Sequence, residues 1–137
     1  MTATFELAEY GSDLSLRVWG ESVPACLDAA LHGFASHIAE IPPAAATDGV
    51  PIDIAGNPAE LLVGILDEAI AALDIEGTLA CGLGDVRIDD RRAHGSLIAV
   101  ALRGLVLRGA PPKAATWHDA RLEPTDRGWQ GHVVLDL

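Results

Sequence analysis

Basic residues are scarce in this chain: nine Lys and Arg stand against 20 Asp and Glu, for a net charge of −11. Backbone-driven nucleic-acid binding relies on basic stripes that release counterions, so the balance argues against strong direct binding of RNA or DNA. It permits docking on a basic protein surface. Cysteine is nearly absent as well. Cys26 and Cys81 lie apart, within helical and strand patterns, which points to buried thiols in a reducing compartment. No uninterrupted apolar run approaches about 18 residues, and the N-terminus lacks a basic-then-apolar signal pattern. A soluble cytoplasmic domain without membrane association is therefore expected. Also missing are a Gly-rich phosphate loop, a nucleophile elbow and a Cys/His motif with a recognisable local context. Gly82-Leu83-Gly84 is too short for a phosphate loop, and His32, His37, His94 and His132 have no zinc-site spacing.

What is present is apolar and patterned. Half of the 137 residues are hydrophobic, enough for one domain (1–137) with a sizeable core. Leu14, Leu16 and Val18 alternate with Ser15, Arg17 and Trp19, the signature of a half-buried strand over 13–19. Ser22 can cap a helix, with Pro24 in its first turn and Leu27, Leu31, Phe34 and Ile38 at helical spacing. Residues 41–49 read as a Pro- and Ala-rich loop, and 50–55 as a short strand. Asn57, Pro58 and Glu60 form the clearest start signal, a capping box opening a second helix that stops near Gly77. Strands are predicted over 78–88 and 93–106, joined by a charged turn at Asp89-Asp90-Arg91-Arg92. The second of them is apolar on both faces in its middle and therefore central. After a loop at 109–112, strands over 113–123 and 130–137 are joined by a turn near Asp126-Arg127-Gly128. The order predicts an α+β two-layer sandwich, a mostly antiparallel sheet covered by two helices.

The last strand ends in Asp136 and Leu137, so a side-chain carboxylate stands next to the terminal one. Such hard oxygen donors suit a divalent cation if another acid joins them. The C-terminal third carries Lys113-Ala-Ala-Thr116-Trp117-His118, then Gly128-Trp129, then Val133-Val134-Leu135-Asp136-Leu137. This resembles the archease family, whose members typically close with Lys-Ala-x-Thr-Tyr-His, a Gly-Trp pair and an apolar strand ending in Asp plus an aliphatic residue. Asp13 to Ser22 is similar to that family's Asp-x-Gly-x-Arg-x-x-Gly segment, and Glu60 to Gly77 to its second helix. The resemblance spans nearly the whole chain in the right order. There are departures: Tyr10-Gly11-Ser12 replaces the family's usual His-Thr-Ala before the aspartate, Ser15 replaces a glycine, and the loop before Lys113 is short.

The resemblance implies an accessory protein that helps an RtcB-type tRNA-splicing or RNA-repair ligase become guanylylated and turn over repeatedly. It implies metal ligation by Asp13, Asp136 and Leu137, with Ca²⁺, Mg²⁺ or Mn²⁺ as the matching cations. Lys113, Thr116 and His118 become candidates for contact with the ligase or with GTP held by it. Each residue also has a plainer reading. Asp13 alone is a turn or cap residue and Asp136 a solvated end charge. Lys113 is equally an edge lysine that blocks strand pairing. His118 in a strand is more often a hydrogen-bonded structural group than a ligand. Thr116 is expected to bond across its strand pair, and Trp117 and Trp129 to pack. Two other functions stay open: a stand-alone metal-dependent phosphoester hydrolase, and a chaperone-like binding module for RNA-processing proteins. The second is disfavoured by the lack of an obvious apolar surface stripe in the sequence.

Overall fold

Capping chemistry sets the helices. In the computed structural model, which describes residues 3–43, 45, 48–89 and 91–137, Asn57 Oδ1 accepts from Glu60 N at 2.9 Å and Glu60 Oε1 accepts from Asn57 N at 2.9 Å. This is the expected reciprocal box. It opens α2 (Pro58–Glu76), and Gly77 closes it at φ +67°, a left-handed position that favours glycine. Ser22 Oγ accepts from Ala25 N at 3.2 Å and opens α1 (Val23–Ile38). Ala44, Ala46 and Thr47 of the expected 41–49 loop, and Asp90 of the charged turn, lie outside the described residues.

Around the helices run β1 (Thr4–Tyr10), β2 (Asp13–Gly20), β3 (Ala39–Glu40), β4 (Asp48–Ala55) and β5 (Thr78–Asp89). They are followed by β6 (Arg92–Ala101), β7 (Val106–Leu107), β8 (Ala114–Thr125) and β9 (Gly128–Asp136). The protein is α+β, with two helices and antiparallel pairing in each sheet. The expected single sheet is divided among the described residues into three, ordered β1-β2-β9-β8, β4-β6-β5 and β3-β7. As expected, β6 is central, but it ends at Ala101 rather than continuing to 106. There Leu102 N turns to Gly77 O at 2.9 Å and Leu105 N closes a turn onto Leu102 O. No helix among the described residues is long and apolar enough to cross a membrane.

The sequence carries no clear strand signal over β1. Its Phe5 and Leu7 are only half-buried, so the alternation is shallow. The two-residue link Gly11-Ser12 makes it a hairpin with β2: Tyr10 pairs with Asp13, and Gly11 takes φ +62°.

On the inner face of the large sheet, Leu14 pairs with Leu135 and Leu16 with Val133, all buried. These residues belong to one buried cluster with Leu27, Leu31 and Phe34 of α1. Each such side chain contributes about 1.5–3 kcal/mol by leaving water. The same packing holds the last strand firmly and fixes the position of its acidic tip.

Candidate functional site at the sheet end

Strand order builds the site. Central strand β9 runs between β2 and β8, so its last residues lie beside the first residues of both neighbours. Leu14 pairs with Leu135 on one side and Ala114 with Asp136 on the other. The structure thus gathers Asp13, Asp136, Leu137 and Lys113 at one sheet end. Leu137 N donates to Asp13 Oδ1 at 3.4 Å, and Lys113 N donates to Asp136 O at 2.6 Å.

Asp136 and Leu137 are exposed, and Asp13 is half-buried. Their donors are hard oxygens, the chemistry suited to Ca²⁺, Mg²⁺ or Mn²⁺. Among the described residues, no three His, Cys, Asp or Glu side chains converge as a metal cluster. What this sheet end holds is a set of hard oxygens, the Asp13 and Asp136 carboxylates and the oxygens of Leu137 next to them.

Asp67 of α2 was not singled out in the sequence. Its Oδ1 accepts from Ala115 N at 3.0 Å, joining the helix to the start of β8. The Lys113 side chain is exposed and in no ion pair among the described residues; it lines a groove with Asp67 and Asp74. This puts Lys113 at the site end while leaving its ammonium available.

His118 is hydrogen-bonded rather than placed among the carboxylates. Its Nε2 lies 3.0 Å from Tyr10 Oη and 3.7 Å from Asp119 Oδ2. Tyr10 stands where the family pattern has histidine, so that departure creates a partner for His118.

Thr116 does not bond across the strand pair: its Oγ1 is buried and has no hydrogen-bond partner among the described residues. The cause is local. The β8–β9 register slips between Thr116 and Arg121, and Asp119 sits at φ +56°. The resulting bulge turns Trp117 outward, 61% exposed, against the expectation that it packs. Trp129 is half-buried against the core, as expected.

The bulge also covers a buried polar pair that sequence reasoning missed. His132 Nδ1 lies 2.9 Å from Asp119 O, so Nδ1 carries the proton and donates it to the carbonyl. Nε2 then accepts from Ser15 Oγ at 2.8 Å. Ser15 and His132 are only 6% and 5% exposed. The available signal was a paired one: Ser15, itself a departure from the family glycine, and His132 both sit at polar positions of core strands.

The model of the Archease protein family (MTH1598/TM1083) matches residues 5–137. The solution structure of Methanobacterium thermoautotrophicum protein 1598 superposes with a TM-score of 0.74 at 22% identity, covering 97% of this chain and 98% of that one. A Thermotoga maritima crystal structure (TM1083), described as an archease and possible chaperone, gives a TM-score of 0.67 at 15% identity, covering 95% and 94%. At these identities the two structures speak for the fold. No curated protein matches the chain.

Proposed function

Since this chain belongs to the archease family, we propose that it is a non-catalytic accessory protein that activates an RtcB-type RNA ligase through a divalent-cation site at its sheet end. The observation that carries this reading is the approach of the Leu137 amide to the Asp13 carboxylate, with Asp136 and Lys113 joined beside it. Asp13, Asp136 and an oxygen of Leu137 would hold the cation. When bound, it supplies charge neutralisation and orientation for phosphate oxygens. Positions that these ligands leave open on the cation suit a site completed by a second molecule, and GTP enters as a group held by the ligase. The exposed Lys113 ammonium balances phosphate charge or pairs with a carboxylate of the ligase.

Asp13→Ala and Asp136→Ala, checked for folding by circular dichroism, are expected to reduce stimulation of ligase guanylylation and multiple-turnover ligation by about 10–100-fold. Full stimulation by both variants would end the proposal. A parallel incubation with Mn²⁺ and phosphoesters, without ligase, tests the enzyme alternative. Turnover abolished by Asp136→Ala would assign a metal-dependent hydrolase instead.

A further inference from the structure

Next to the sheet end lies a groove of about 770 Å³ between α2 and the segment leading into β8. Ile70, Leu73, Leu102 and Pro112 give it an apolar lining. Asp67 and Asp74 stand on the α2 side, and Lys113 on the other. We propose that this groove binds a basic amphipathic helix of a partner protein. The partner's apolar side chains would lie on Ile70, Leu73 and Leu102, and its Lys or Arg residues would meet Asp67 and Asp74.

The spacing on α2 supports a helical occupant. Asp67, Ile70, Ala71, Asp74 and Ile75 follow at i, i+3, i+4, i+7 and i+8, a second mixed stripe beside the one that Leu62, Ile65, Leu66 and Ala69 bury in the core. Ile75 is 79% exposed, so the stripe presents an apolar side chain to solvent. An exposed apolar surface edged by charge is therefore present, although the sequence shows no obvious stripe. Asp67 and Asp74 are two turns apart, about 10 Å along the axis. A partner helix with cations seven residues apart matches that distance.

Charge selects a basic partner. The last turn of α2 contains no basic residue, and its C-terminal dipole adds negative potential to Asp74 and Glu76. Asp74 is in no ion pair among the described residues, and the chain's net charge of −11 speeds encounter with a basic surface. The same acids repel nucleic-acid phosphates and anionic membranes. Lys113 belongs both to this groove and to the candidate cation site, so a seated helix lies within reach of the sheet end. The inference does not depend on the ligase or the cation.

The test uses isotope-labelled full-length protein and two synthetic 14-residue helical peptides, about four turns long. One carries leucines with lysines seven residues apart; the other has glutamates in place of the lysines. The lysine peptide is expected to shift the amide resonances of Ile70, Asp74, Ile75 and Leu102, and the glutamate peptide to bind at least about tenfold more weakly. Ile75→Ser and Asp74→Asn alter exposed side chains, so the fold should persist, and each should weaken binding by about fivefold. Glu9→Gln removes the same charge on β1, at the opposite edge of the large sheet, and should leave affinity unchanged. Shifts confined to other residues, equal binding of the glutamate peptide, equal loss with Glu9→Gln, or no shift at millimolar peptide would each overturn the proposal. So would an RNA oligonucleotide producing these shifts where the lysine peptide does not.

Discussion

Ser15 stands where the family pattern has glycine, and its hydroxyl gives the buried His132 ring a hydrogen-bond partner. One ring nitrogen donates to Asp119 O and the other accepts from Ser15, so both ring positions are satisfied. Removing the hydroxyl leaves a buried acceptor without a partner, at a cost of about 1–3 kcal/mol. Ser15→Ala and Ser15→Gly should therefore lower the urea midpoint without changing the slope. Ser15→Ala combined with His132→Phe should cost less than the sum of the two single changes. Unaltered stability of Ser15→Ala would show that the hydrogen bond has no net weight. The two thiols make a second prediction at this scale. Burial raises Cys26 to about 11, while Cys81 is half-buried and raised by burial and then by Asp28. A raised pKa means little thiolate near neutral pH, and access then favours Cys81. A maleimide at pH 8 should label Cys81 slowly and Cys26 only after denaturant is added. Simultaneous labelling of both in native protein would contradict this.

At the scale of elements, α2 is the piece most legible in the sequence, because capping is local. Asn57, Pro58 and Glu60 specify its start and Gly77 its stop, all within one turn of the helix ends. Asn57→Ala should destabilise the protein by about 1 kcal/mol in chemical denaturation, and Asn57→Asp by much less. The strands were less legible where pairing depends on distant residues. β1 was missed because its apolar side chains are partly exposed and its assignment depends on pairing with β2. The end of β6 is not legible because an apolar run does not reveal where hydrogen bonding stops; the turn at 102–105 is held partly by Gly77 O, which belongs to another part of the chain. Trp117 shows the same limit. Strict alternation assigns it a face, but the bulge between Thr116 and Arg121 resets that alternation, and nothing local marks the slip. Asp67 was missed for a further reason: a helical carboxylate reads as solvated until the fold brings the Ala115 amide against it.

For the molecule as a whole, the decisive fact is that Asp13 and Leu137, 124 positions apart, meet because β2 and β9 are neighbours. The juxtaposition follows from topology, and only the family resemblance made it visible in sequence. A cation bound at this end, as proposed, would offset the mutual repulsion of the carboxylates that the fold brings there. A cation that binds only the folded state stabilises it by about 2.7 kcal/mol at a hundredfold excess over Kd. Millimolar Ca²⁺ or Mn²⁺ should accordingly raise Tm by several degrees, and Asp13→Asn should remove most of the increase. Leu137 can be tested separately. A tag joined directly after Leu137 converts its carboxylate to a peptide carbonyl, removing one negative charge and one oxygen, while Asp13 and Asp136 remain. If the terminal carboxylate is a ligand, the tagged protein should bind the cation at least about tenfold more weakly in calorimetric titration. A tag attached before Thr4, on the other hairpin strand, should have no such effect. Equal affinity in the two tagged forms would exclude the terminal carboxylate as a ligand.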